Sequence, residues 1–238
     1  MIEAMGLDGY EERAALHAAL ADPLRLAIVD ELTWSDRSPS SLTETLEIDS
    51  NLLAHHLGVL EEAGVVDRLR SAGDGRRRYV RLRPEATSSI VAPFGALASE
   101  GVLFVCTANS ARSQLGAAIW NARSEVPATS AGTHPAPRVR PQAVAAARRA
   151  GLHLRDVSTR SVDEVRERPD LLITVCDVAH EELAALPTGA TVLHWSIPDP
   201  ALEGTPAAFD RTVRALGDRI DTLAPHVRPR RRPRRTHP

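Results

Sequence analysis

The 238-residue chain is 43% hydrophobic and 25% charged, enough apolar material for one large core or two ordinary ones. It has no apolar run of roughly 18 residues, which excludes a membrane-spanning helix, and its two cysteines cannot form a disulfide framework, so a bond between them would be redox chemistry. The formal charge of −2 hides an asymmetry, because residues 228–235 hold six arginines and leave about −8 on the remainder.

Glu3, Asp8, Glu11 and Glu12 lack the basic-then-apolar order of a signal peptide, so a cytoplasmic location is expected. Helical spacing predicts two helices over residues 10–33, broken at Ala21-Asp22-Pro23. Asp22 suits an N-cap and Pro23 a first turn. A short helix is expected over 39–46. A longer one should run from Asp49-Ser50 to Ala63-Gly64, with Leu52, Leu53, His56, Leu57 and Leu60 on its inner face. Val65 to Leu69 and Arg77 to Leu82 read as two strands joined by the turn-rich residues 71–75.

That order is a winged helix-turn-helix. The longer helix would enter the major groove of double-stranded DNA with Ser50, Asn51, Ala54 and His55 toward the bases. Arg76, Arg77 and Arg78 on the wing would follow the phosphates. Residues 21–29 (A-D-P-L-R-L-A-I-V) and 53–66 (L-A-H-H-L-G-V-L-E-E-A-G-V-V) resemble the ArsR-type repressor family, over about residues 10–84. The resemblance implies a homodimer through this domain. Sensors of that family often carry a C-x-C metal motif, but residues 31–36 hold no cysteine, and His55-His56 reads as one surface and one packed histidine. No metal site is expected. Residues 84–100 read as a final short helix plus linker.

In the second half, an apolar run ends on Cys106. Thr107, Ala108, Asn109, Ser110 and Ala111 follow, then Arg112 and Ser113, then a helical pattern. A strand would deliver the sulfur to a loop whose amides, with the positive end of the helix, cradle an anion. Arg112 adds a planar fork for two oxygens, and such surroundings favour a thiolate nucleophile. On the residues alone, a buried inert cysteine is the competing reading. The pattern V-C-x-x-N-x-x-R-S, met at Val105, Cys106, Asn109, Arg112 and Ser113, resembles the low-molecular-weight protein tyrosine phosphatase superfamily. That superfamily includes thioredoxin-linked arsenate reductases, and the likeness covers about residues 100–224.

Strands are expected over 126–132, 171–176 and 191–195, and helices over 113–124, 139–150, 178–186 and 207–223. The fold class is therefore α/β, an N-terminal winged helix-turn-helix followed by a doubly wound four-stranded parallel sheet of the low-molecular-weight phosphatase type. The expected domains are 1–97, DNA-binding with linker; 98–225, catalytic; and 226–238, a disordered Arg-rich tail. The family's strand order, second-first-third-fourth, would set the strand ending at Cys176 beside the one ending at Cys106.

Asp199, in Ile197-Pro198-Asp199-Pro200, follows the fourth strand and could supply a proton to a leaving oxygen, although Asp-Pro is also an ordinary turn. Its setting resembles the arsenate-reductase version of the superfamily's general-acid motif. Thr174-Val175-Cys176-Asp177 resembles the position of the resolving cysteine in those reductases, with a structural cysteine as the competing reading. Their third, relay cysteine is missing, since Glu181, Glu182 and Leu183 occupy that region. The resemblance implies an arsenate reductase fused to an ArsR-type regulator, with no tightly bound cofactor and an external thiol or redoxin as electron donor. The alternative is a regulator whose phosphatase-like domain senses an oxyanion or dephosphorylates phosphotyrosine.

Overall fold

The computed structural model describes residues 7–83, 97–154, 158–165, 170–183 and 190–230. The chain forms two compact units, Met1–Pro93 and Phe94–Pro238. In the first, α1 (Leu7–Leu20), α2 (Pro23–Leu32), α3 (Pro39–Leu46) and α4 (Ser50–Glu62) precede the hairpin β1 (Val66–Arg70) and β2 (Arg78–Leu82). Side-chain caps set the helix starts. Asp22 accepts from the amides of Leu24 and Arg25, Ser38 from Ser41, and Asp49 from Asn51 and Leu52. Glu47, at φ 53°, makes the left-handed turn that closes α3 ahead of α4.

Ile28, Val29 and Leu32 from α2, Leu42 from α3 and Leu53, Leu57 and Leu60 from α4 form the core, closed by Val65, Val66, Val80 and Leu82. One expectation fails here. Leu52 is 40% exposed rather than on the inner face, because it lies at the edge of the 53-56-57-60 stripe. The hairpin pairs antiparallel with Arg70 opposite Arg78.

The second unit is a four-stranded parallel sheet of order β5-β4-β6-β7: β4 (Val102–Cys106), β5 (Ala128–Gly132), β6 (Leu171–Thr174) and β7 (Thr191–His194). This is the second-first-third-fourth order. The main helices are α5 (Arg112–Arg123), α6 (Pro141–Arg149), α7 (Asp177–Leu183) and α9 (Pro206–Leu223), and the single turn α8 (Pro200–Glu203) lies before the last. β4 is buried at every position, as a central parallel strand must be. Gly116 lets α5 lie directly on it, since a Cβ there would sit 2.7 Å from the Phe104 ring.

The tail expected to be disordered begins with structure. Val227–Pro229 forms β8, which pairs parallel with β3 (Leu97–Ser99). Arg230 donates its amide to the Ser99 carbonyl and sets its guanidinium 3.2 Å from Asp170. Two short edge segments far apart in sequence satisfy each other's backbone groups, which local composition does not reveal. Residues 231–238, and 84–96 of the expected helix and linker, lie outside the described residues.

Candidate active site

Cys106 ends β4, only 2% exposed, with its sulfur 3.1 Å from the Ser113 hydroxyl at the start of α5. Between them, the loop 107–111 turns through Asn109, whose φ of 48° is left-handed, a conformation asparagine tolerates better than most residues. The Asn109 side chain is fully engaged. Its amide nitrogen donates to Ser113 and Ser130, and its oxygen accepts from the Gln114 side chain and the Arg160 amide.

The carbonyls of Cys106, Thr107, Ala108 and Ser110 accept from the amides of Thr133, His134, Ala136 and Arg140. In a trans peptide the N–H points opposite to the C=O, so the amides of Thr107, Ala108, Asn109 and Ala111 turn away from that segment, toward the inside of the loop. Ala111, the residue ahead of α5, makes no side-chain cap hydrogen bond, and the positive end of the helix dipole faces the same loop. Gly132 makes this geometry possible, because a Cβ there would lie 2.5 Å from the Thr107 carbonyl oxygen and 2.8 Å from the Asn109 nitrogen.

Arg112 is nearly buried. One terminal nitrogen donates to the Ile197 carbonyl at 3.0 Å, and the other lies 3.1 Å from an Asp199 oxygen. The second Asp199 oxygen accepts the Ala201 amide and caps α8. Cys176 follows β6, is 3% exposed and has its sulfur 3.3 Å from the Thr107 hydroxyl. Burial pushes its thiol above the ordinary value, opposed by the Arg112 charge, the Thr107 hydroxyl and the Ala179 amide. Both cysteines are free.

The structure therefore gathers Cys106, the 107–111 loop, Arg112, Ser113, Asp199 and Cys176 at the carboxyl ends of β4, β6 and β7. Sequence reasoning missed several supporting groups: Gly132, Gln114, Ser130 and Arg160 around the loop, and the Thr107 hydroxyl. It also missed a buried cluster of Thr174, Asp177 and His194 behind Cys176. Their signal was tertiary, apart from the Gly that ends an apolar strand beside the loop. No group of three or more His, Cys, Asp or Glu residues fit to hold a metal ion occurs among the described residues.

In the first unit, Ser50, Asn51, Ala54 and His55 lie exposed on α4, and Arg76, Arg77 and Arg78 are exposed on the wing. His56 is buried, with its Nδ1 3.6 Å from Asp22. Asp74, unnoticed in the sequence, sits 3.5 Å from Arg76 and 3.8 Å from Arg77. The amide and charge of Arg76 and the charge of Arg77 hold its carboxyl below the ordinary value.

The family model described as low molecular weight phosphotyrosine protein phosphatase matches residues 101–232, and one described as a helix-turn-helix domain matches residues 20–68. An arsenate reductase of Halalkalibacterium halodurans is 34% identical over 132 residues, covering 52% of this chain and 94% of that protein. One from Brevibacillus brevis is 32% identical, covering 52% and 92%. The crystal structure of an arsenate reductase from Archaeoglobus fulgidus, 33% identical, covers 52% of this chain and 98% of its own, with a TM-score of 0.46.

Proposed function

Because the chain belongs to the low molecular weight phosphotyrosine protein phosphatase family and carries a helix-turn-helix domain ahead of the matching region, we propose that it is an arsenate reductase fused to an ArsR-type transcriptional regulator. The Cys106 thiolate attacks arsenate while Arg112 and the amides of residues 107–111 hold its oxygens. Asp199 gives a proton to the departing oxygen. The Cys176 thiolate then attacks the Cys106 sulfur. The S–S bond forms as the S–As bond breaks, and its electron pair stays on arsenic, which leaves as arsenite. Ser113 and Asn109 steady the nucleophile and its loop.

One observation carries the reductase over a simple phosphatase, which needs only one thiol. The hydroxyl of Thr107, the residue directly after the nucleophile, touches the Cys176 sulfur. A second thiol at the anion loop is what a two-electron reduction requires. With Glu181, Glu182 and Leu183 where a relay cysteine would stand, an external thiol or redoxin reduces the Cys106–Cys176 bond directly.

In the first unit, α4 reads double-stranded DNA through Ser50, Asn51, Ala54 and His55, and the Arg76–Arg78 wing grips phosphates in a homodimer. The catalytic test is arsenite release by the purified chain given arsenate and a thiol donor, with mass spectrometry for the Cys106–Cys176 bond. Hydrolysis of phenyl phosphate with no arsenite release under any donor would favour a phosphatase instead.

A further inference from the structure

Behind Cys176 lies a polar cluster that the proposed chemistry leaves unused. His194, at the end of β7, is 1% exposed, and Asp177, the first residue of α7, is 4% exposed. The His194 Nε2 is 3.2 Å from an Asp177 oxygen, and its Nδ1 is 2.9 Å from the Thr174 hydroxyl at the end of β6. Thr174 also reaches the Leu193 carbonyl and the His180 Nδ1, each at 3.2 Å. The His180 ring stacks on that of His194 at 4.1 Å.

These contacts tie β7 to the first turn of α7 through His194 and Asp177, and Thr174 ties both to β6. Buried polar groups need hydrogen-bond partners, so each of these contacts constrains its neighbours.

What the cluster encloses in sequence is Cys176, flanked by Thr174 two residues before it and Asp177 immediately after. The segment 174–177 is the whole junction between β6 and α7. The sulfur meets the Thr107 hydroxyl only while this junction keeps its course.

We propose that Thr174, Asp177 and His194 are positioning residues for the resolving thiol. They fix the β6–α7 junction so that Cys176 stays at Thr107, ready to attack the Cys106 sulfur, without touching the oxyanion. This rests on the reductase reading, deepening its second step. The cluster acts on closure of the Cys106–Cys176 bond alone, since binding and attack at arsenic are complete before Cys176 takes part.

The experiment compares the full chain with Asp177→Asn, Thr174→Val and Thr174→Ser, which change few atoms, and with His194→Gln. Two arms follow closure of the Cys106–Cys176 bond by mass spectrometry, one driven by arsenate and one by the thiol oxidant diamide. A third follows alkylation of Cys106 by iodoacetamide in a Cys176→Ser background, which reports the anion loop alone. Asp177→Asn and Thr174→Val should slow closure at least about tenfold in both arms and leave Cys106 alkylation within about twofold, and Thr174→Ser should recover most of the rate. Unchanged or faster closure overturns the proposal, as does a parallel fall in closure and Cys106 reactivity. If the wild type closes with diamide but not with arsenate, the reductase reading fails, and the diamide arm still decides the positioning role.

Discussion

Arg112 and Asp199 meet across the mouth of the Cys106 loop, Nη2 to Oδ2 at 3.1 Å, while the Ile197 carbonyl takes the other terminal nitrogen. The guanidinium is thus held by the loop that would supply the proton. In the proposed reaction an incoming oxyanion competes for the same fork.

Asp199→Asn keeps the side chain's size and an oxygen for the Ala201 amide, but it has no proton to give. The turnover of arsenite release should fall by about 10²–10⁴ with KM little changed. Arg112→Lys, which removes the two-pronged grip, should raise KM as well as lower kcat. Steady-state kinetics on both variants checks the division of labour, and a pure KM effect for Asp199→Asn would remove it from the acid role.

Cys176→Ser separates the two halves of the reaction. It should abolish multiple turnovers of arsenate reduction by resolution at Cys176 and leave any phenyl phosphate hydrolysis standing, since that needs only Cys106. Arsenite release at the wild-type rate with a small thiol present would mean that the external thiol attacks the adduct itself.

Local signals are readable from sequence and distant ones are not. Asp22, Ser38 and Asp49 are caps whose partners lie within three residues, so the sequence marks them as helix starts. The loop between Cys106 and Ser113 is legible for the same reason. Leu52 escapes because periodicity gives a stripe's direction but not where its cover ends. The β3–β8 pair joins Leu97 to Val227, and no pattern in either segment names the other. The cluster around His194 is invisible in sequence because His194 reaches Asp177 and Thr174 from another strand, across a separation that no local pattern spans. Cys176 stands out chiefly through family resemblance; strand order then explains its place, since β6 pairs directly with β4.

Gly132 carries a strict steric requirement. In Gly132→Ala, the new methyl would press on two backbone atoms of the loop, the Thr107 oxygen and the Asn109 nitrogen, and neither can rotate away. The loop must shift, costing about 1–3 kcal/mol of stability and at least about tenfold in kcat/KM, because amide donors must sit within a fraction of an ångström of the developing charge. Urea unfolding and steady-state kinetics measure the two effects. Unaltered activity would show that the loop tolerates displacement.

The resolving step should depend on pH in a defined direction. Burial raises the Cys176 thiol, against the lowering pull of the Arg112 charge. Thiolate is the attacking form, so closure should speed up about tenfold per pH unit through neutrality, with no plateau below the range of an ordinary thiol. Thr107→Val removes a hydroxyl that stabilises the thiolate, so it should slow closure at a given pH. Stopped samples analysed for the Cys106–Cys176 bond give the profile, and a plateau near pH 7 would contradict it.

The wing offers a prediction with an internal control. Asp74 sits between Arg76 and Arg77 and accepts the Arg76 amide at 3.0 Å, so it both shapes the turn and offsets the two charges proposed to meet phosphates. Asp74→Asn preserves an acceptor for the turn and removes the competing charge, so DNA affinity should rise. Arg76→Ala with Arg77→Ala should lower it and flatten the dependence of log K on log salt by about 0.9 for each phosphate left without its arginine. Gel-shift or anisotropy titrations at several salt concentrations read both quantities. Opposite movement of the two variants identifies the wing as a phosphate clamp held in check by its own aspartate, whereas weaker binding in both would assign Asp74 to holding the turn's shape.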